Sequence, residues 1–192
     1  MTNAGKKLPS DLDNRFDRAF QPLEQSVAAS RIPGGVLGIV EKDGRRKVRA
    51  VGLSERVPNV VPMESDSVFD LAALTKVIFT TPRILALAEA GESDLDAPLI
   101  SVLPDLRQYD ADAWERRVTF RQCLTHLTPF PAVEPIYAYG RDPQLLRAFI
   151  LQREWCAAQP VYSDINFILL GLAMERLADC DIRQIVPGAG FS

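Results

Sequence analysis

The stretch Asp70-Leu71-Ala72-Ala73-Leu74-Thr75-Lys76 runs directly into Val77-Ile78-Phe79, and the apolar character continues to Ala90. A helix that is apolar on most sides has to be buried between layers. Lys76 sits inside this run. An unpaired ammonium is expensive to bury, so the lysine either reaches solvent along its stem or meets a partner inside the protein. Position 73, three residues earlier, shares its helix face and is alanine. Asp70 is placed to cap the helix, Pro82 to kink or break it after Thr81, and Gly91 to end it.

A buried helix needs a body around it, and 192 residues are enough for one domain with a sizeable core. Hydrophobic residues at 47% and charged residues at 24% describe an ordinary globular chain rather than a disordered one. The net charge of −3 leaves no basic footprint, so nucleic acid is not an expected partner. No stretch reaches the roughly 18 uncharged apolar residues of a membrane span. The start, Met1 to Ser10, has lysines without an apolar core behind them, unlike a secretory signal. Cys123, Cys156 and Cys180 are odd in number and widely spaced, the pattern of buried free thiols in a reduced, cytoplasmic protein.

Ahead of the central helix, Ser10 can cap a helix over residues 11 to 29, whose Phe16, Ala19, Phe20, Leu23 and Val27 recur on one face. Pro33-Gly34-Gly35 breaks it. Val36 to Val40 is a short continuous apolar run, the pattern of a strand buried on both faces. Lys42-Asp43-Gly44 supplies a turn, and Lys47 to Gly52 alternates as a returning strand does. Residues 36 to 52 therefore read as an antiparallel hairpin, and 53 to 67 as a loop. Gly34-Gly35 precedes the strand, so it is not a dinucleotide-binding loop. Beyond the central helix, Thr119 caps a helix over Phe120 to His126, residues 127 to 139 form a proline-rich loop, and Asp142 to Gln152 is an amphipathic helix. Gln159 to Ser163 is extended, Asp164 to Leu177 is helical, and Pro187 to Ser192 closes in a loop.

The spacing of position 73 to Lys76 is that of a Ser-x-x-Lys pair, in which the lysine takes the proton of a serine nucleophile. Tyr162 reads equally as a half-buried core tyrosine, and Asp164 as the cap of the helix it precedes. His126, the sole histidine, reads as structural. Cys123 and His126 have a metal-like spacing but lack a second close pair, so no metal site is expected. Gly188-Ala189-Gly190 has no helix after it to hold a phosphate.

Four stretches together resemble the β-lactamase-related serine hydrolases, the group that includes class C β-lactamases, D,D-carboxypeptidases and related esterases. Phe69-Asp70-Leu71-Ala72-Ala73-Leu74-Thr75-Lys76-Val77 resembles that family's nucleophile helix with alanine in place of serine. Glu89 to Pro98, followed by Leu103-Pro104, is similar to the segment leading from it into the helical subdomain. Thr119-Phe120-Arg121-Gln122-Cys123-Leu124-Thr125-His126 resembles the stretch introducing a His-Thr-Ser-Gly loop, and Tyr162-Ser163-Asp164-Ile165-Asn166 the tyrosine motif. The resemblance covers residues 33 to 178. It implies an α+β fold of the β-lactamase/transpeptidase-like type, one domain over 1–192. An N-terminal helix and hairpin of the sheet fall in 1–70, and the nucleophile helix with the helical subdomain in 71–180.

The resemblance further implies acyl transfer on a small amide, β-lactam or ester, without a cofactor. A serine at position 73 attacks the carbonyl, Lys76 and Tyr162 move its proton with each pKa lowered by the other, and the amide of residue 73 forms half of an oxyanion hole. Asp164 stands where an asparagine or aspartate orients substrate and lysine. Three departures argue against turnover: Ala73 has no nucleophilic oxygen, Leu127-Thr128-Pro129-Phe130-Pro131 replaces Thr-Ser-Gly-Leu-Pro, and no Lys/His-Thr-Gly strand follows. The expectation is an inactive, truncated member lacking the C-terminal strands of the sheet. Its alternatives are a non-catalytic binding or regulatory protein using the remnant cleft, or half of a split protein whose open sheet edge pairs with a C-terminal partner chain or a second copy.

Overall fold

A computed structural model describes residues 11–185. The expected cap at Ser10, the start Met1 to Ser10, Gly188-Ala189-Gly190 and the closing loop from Pro187 lie outside them. The fold is α+β, and the chain divides into two compact units between Asp70 and Leu71.

The first unit is one helix laid on a small antiparallel sheet: α1 (Asp11–Ala28), β1 (Gly34–Val40), β2 (Arg46–Glu55) and β3 (Val61–Pro62), in the order β1-β2-β3. The hairpin register sets Val36 opposite Ala50 and closes on Gly34 opposite Gly52. At that end the two backbones are in contact. A Cβ on Gly34 would lie 2.5 Å from the Leu53 carbonyl oxygen, and Gly52 has φ 82 with Pro33 O against it, so neither position accepts a side chain without backbone movement. Leu12, Phe16 and Phe20 are buried, with the two rings stacked at 5.8 Å. The Arg49 guanidinium lies 4.8 Å from the Phe20 ring centroid, and the ion pairs Lys47–Asp13 and Arg49–Asp17, at 2.5 and 2.6 Å, tie β2 to α1.

Three expectations change here. Ala19 is exposed, so the buried stripe of α1 is narrower than its apolar residues suggest. β1 is not buried on both faces: none of its residues is fully buried and Val40 is 72% exposed, because within this unit α1 covers only one face of a three-stranded sheet. The loop after β2 contains a strand, β3, which at two residues is too short to show an alternating pattern and is fixed by its pairing to Leu53 and Glu55.

The second unit is helical: α2 (Thr81–Glu89), α3 (Phe120–Leu124), α4 (Pro143–Gln152) and α5 (Asp164–Ala178), with short 3₁₀ turns between them. Its core gathers on α5, where Ile165, Leu169, Leu170, Ala173 and Met174 meet Ile84 and Leu87 of α2, Phe120 and Cys123 of α3, and Ile150 and Leu151 of α4. α3 opens with a complete capping box, Thr119 accepting from the Gln122 amide and Gln122 reaching back to the Thr119 amide. α4 is capped by Asp142, which accepts from the amides of Gln144 and Leu145.

The central apolar run departs from expectation in its start, middle and surroundings. Helical residues begin at Leu74, beyond Asp70, and no side chain caps the turn at Thr75. Pro82 does not break the helix. A single π turn, Lys76–Thr80, runs ahead of it, and the Thr81 amide bonds to Lys76 O five residues back. This wider turn delivers the chain to α2 with Pro82 in its first turn, where the missing N–H is needed least. Only Thr80, Ile84 and Leu87 are buried, whereas Leu74, Val77, Ile78 and Leu85 are exposed, because α5 covers one face alone of this run. The thiols also differ from expectation: Cys123 is buried and burial pushes its pKa far up, while Cys156 is exposed.

Candidate active site

Two segments of the second unit build the site. The first is the turn Ala72-Ala73 leading into the π turn. Ala72 has φ 43, a left-handed conformation rarely adopted by residues other than glycine. Ala73 is exposed in the turn just ahead of the helix rather than within it, and the Lys76 amide bonds to its carbonyl at 3.0 Å. The second is the extended segment Tyr162-Ser163 entering α5. Ser163, not Asp164, is the residue preceding that helix, and its hydroxyl donates to Pro131 O at 2.6 Å rather than to the helix. Asp164 is therefore the first helical residue, not the cap, with its carboxylate at the positive end of α5.

The carboxylate is turned onto the lysine. Lys76 Nζ donates to Asp164 Oδ1 at 2.8 Å, and lies 5.2 Å from the ring centroid of Tyr162 and 5.6 Å from that of Phe167. The lysine side chain is only 15% exposed, while Asp164 remains 53% exposed. Burial works against the ammonium, but hydrogen bonds from Lys76 to Asp164 and Tyr162 outweigh it and hold the pKa above the ordinary 10.5. The expectation of a lowered lysine pKa is thus reversed, because an ionised carboxylate is the partner. The stability that Lys76 contributes through its raised pKa is fully present below about 10.5, as far as its own titration is concerned, and is lost as pH rises through the higher folded value. Replacing Asp164 by Asn is expected to lower the Lys76 pKa by about 1–3 units, read by NMR titration of the labelled lysine.

Beside the lysine, an apolar cleft of about 510 Å³ runs between the turn and α5, lined by Ala72, Thr75, Lys76, Thr80, Phe167, Ile168 and Leu172, with Asp164 and Glu175 at its polar edge. Lys76 and Asp164 line it; Ala73 and Tyr162 do not. Tyr162 is half exposed, its ring packed on His126 at 4.4 Å between centroids. The loop after His126 keeps a buried hydroxyl, Thr128, which donates to Asn166 at 2.6 Å. Phe130 of the same loop is fully buried, against Trp114 at 4.9 Å and Trp155 at 6.1 Å. His126, Thr128 and Asn166 form a polar group that residue-by-residue reading did not find. Its signals in the sequence are that His126 ends one of the resembling stretches and Asn166 ends another, four residues after Tyr162. Among the described residues no cluster of metal-ligating side chains occurs, and no helix is long and apolar enough to cross a membrane.

The arrangement offers a protonated lysine, a tyrosine and a carboxylate around a turn whose exposed residue carries only a methyl group. Residues 16–186 match the family model described as Beta-lactamase, and the chain belongs to that family. Esterase EstB of Burkholderia gladioli is 37% identical over 118 residues, 61% of this chain and 29% of that protein. An N-acetylmuramyl-L-alanine amidase of Bacillus subtilis (strain 168) is 27% identical over 182 residues, 85% of this chain and 41% of that protein. The crystal structure of a β-lactamase from Sulfitobacter sp. EE-36 superposes with a TM-score of 0.67 at 29% identity, covering 88% of this chain and 44% of that one. The chain thus spans less than half the length of each of these relatives.

Proposed function

We propose that this chain is a β-lactamase-family acyl-transfer scaffold, one domain across both units, that has no turnover as it stands. Position 73 is the place of the nucleophile, Lys76 and Tyr162 are the proton-handling pair, and Asp164 orients the lysine and a small amide, β-lactam or ester ligand. The observation that carries the reading is Lys76, largely buried and bonded to Asp164 at 2.8 Å, one turn from an alanine with no oxygen to activate. The names of the relatives, an esterase, an amidase and a β-lactamase, support a carbonyl-directed ligand. The test is hydrolysis of a chromogenic β-lactam and a p-nitrophenyl ester by this chain and by Ala73→Ser. The expected result is no turnover above background for the unmodified chain; a burst of product from it overturns the reading.

The cleft favours a second reading, a non-catalytic binding role, because Lys76 and Asp164 line an apolar cavity large enough for a small acyl ligand. Calorimetry with β-lactam and acyl-peptide ligands separates the two, and no heat at millimolar ligand argues against binding.

A further inference from the structure

His126 is the sole histidine of the chain, and it stands against the Lys76 group from the end of α3. Its φ of 56 is a left-handed conformation that histidine and asparagine tolerate better than most residues. The ring lies on Tyr162 at 4.4 Å and on Phe167 at 5.2 Å, the same two rings that the Lys76 ammonium faces. Its Nδ1 is 3.1 Å from the Ser163 amide nitrogen and 3.2 Å from Asn166 Nδ2.

The donors and acceptors around the ring determine its tautomer. A backbone N–H only donates, so Nδ1 is a bare acceptor and the ring proton sits on Nε2. Asn166 is consistent with this: its Oδ1 accepts from Thr128 Oγ1 at 2.6 Å, which leaves its amide nitrogen to donate to His126. Ser163, Asn166 and Thr128 are fully buried, so losing the acceptor strands an N–H away from water. Asn166 can meet a protonated Nδ1 by turning its amide over; the Ser163 backbone has no such freedom. Ser163 is flanked by Tyr162 and Asp164.

We infer that neutral His126 is a positioning residue that holds the Tyr162–Asp164 segment on Lys76, and that protonating its Nδ1 releases that segment. The charged groups facing the ring are Lys76, which opposes a second positive charge, and Asp164, which favours it; Tyr162 is the titratable neighbour in the adjoining segment. Burial foremost, then Lys76, hold the histidine below its ordinary value of 6.5 against the pull of Asp164 and of the backbone hydrogen bond at Ser163. His126 is therefore neutral at pH 7. Its contribution to the folded arrangement is present above about 6.5 and is lost as pH falls through the lower folded value. This inference concerns the geometry of the group and stands whether or not the group transfers acyl.

A single imidazole makes the test unambiguous in the full ¹⁵N-labelled chain. At neutral pH its Nδ1 is expected to be unprotonated and Nε2 protonated, and on acidification the Tyr162 ring and Lys76 Nζ signals should move in step with its titration. His126→Asn sets an amide oxygen near the Nδ1 position and cannot titrate, so it should keep the Lys76 pKa and lose the acid transition. His126→Phe keeps the ring packing without the acceptor and should lower the Lys76 pKa by about one unit, a tenfold change. A protonated Nδ1 at neutral pH, or an acid titration that leaves Tyr162 and Lys76 unmoved, overturns the inference, and so does an unchanged Lys76 pKa in folded His126→Phe. Should that variant not fold, the titration of the unmodified chain decides alone. Acyl transfer is scored separately by Ala73→Ser, so failure of one does not imply failure of the other.

Discussion

Ala73→Ser is expected to be acylated by an activated ester at residue 73 at a rate that climbs with pH across the whole neutral range. The rise should level only beyond 10.5, where Lys76 gives up the proton that Asp164 and Tyr162 help it keep. A serine hydroxyl is a weak nucleophile until a base takes its proton, and a lysine held as ammonium is that base only in the small deprotonated fraction. Two further variants isolate the cause. Ala73→Ser/Lys76→Ala should be slower by about 10²–10⁴, the usual worth of a positioned general base. Ala73→Ser/Asp164→Asn should show the same pH profile displaced downward, with faster acylation at pH 7. Stopped-flow release of p-nitrophenol measures all three. Acylation that is independent of pH, or indifferent to the loss of Lys76, contradicts the assignment of the lysine.

Phe130→Ala is expected to cost about 3–5 kcal/mol of stability, the range for emptying a fully buried aromatic site. Phe130 is 0% exposed and wedges between Trp114 and Trp155, which are the two tryptophans of the chain. The cavity would lie under the loop that carries Thr128 and Pro131, whose bonds to Asn166 and Ser163 seat the start of α5. Guanidinium unfolding followed by tryptophan fluorescence reads both the loss of stability and the opening of the aromatic cluster, since the emission should shift to the red in the folded variant. Phe130→Leu retains most of the buried volume and should cost less than half as much. A loss below about 1 kcal/mol in Phe130→Ala would mean that the loop collapses to refill the site.

The parts of this fold legible in the sequence are those written locally. The α1 stripe Phe16 and Phe20, the hairpin turn at Asp43-Gly44, the Thr119 capping box and the Asp142 cap all depend on residues within a few positions of one another. The parts that are not legible carry no repeating pattern of their own. β3 is two residues long, too short to alternate, and is fixed by its pairing with β2. Pro82 reads as a breaker until a π turn places it in the first turn of α2. Within the site, the family resemblance groups Lys76, Tyr162 and Asp164, and the structure brings them together. The resemblance implies a lowered lysine pKa and the structure gives a raised one, because the motifs do not say that the carboxylate bonds the ammonium directly. His126 read as structural and is bonded as such, yet its bonds run to Ser163 and Asn166, so its bearing on the site is visible only in three dimensions.

The most direct measurement is the intact mass of the unmodified chain and of Ala73→Ser after exposure to an excess of a reactive ester and of a β-lactam. The account predicts no acyl group on the site peptides of the unmodified chain, whatever the exposed Cys156 takes up, and one additional acyl group on Ala73→Ser, carried by the peptide that contains residue 73. An acyl group on the unmodified chain at Thr75 or Lys76 in the cleft, or at Tyr162 beside the lysine, would show that this site does chemistry without a serine, and would contradict it.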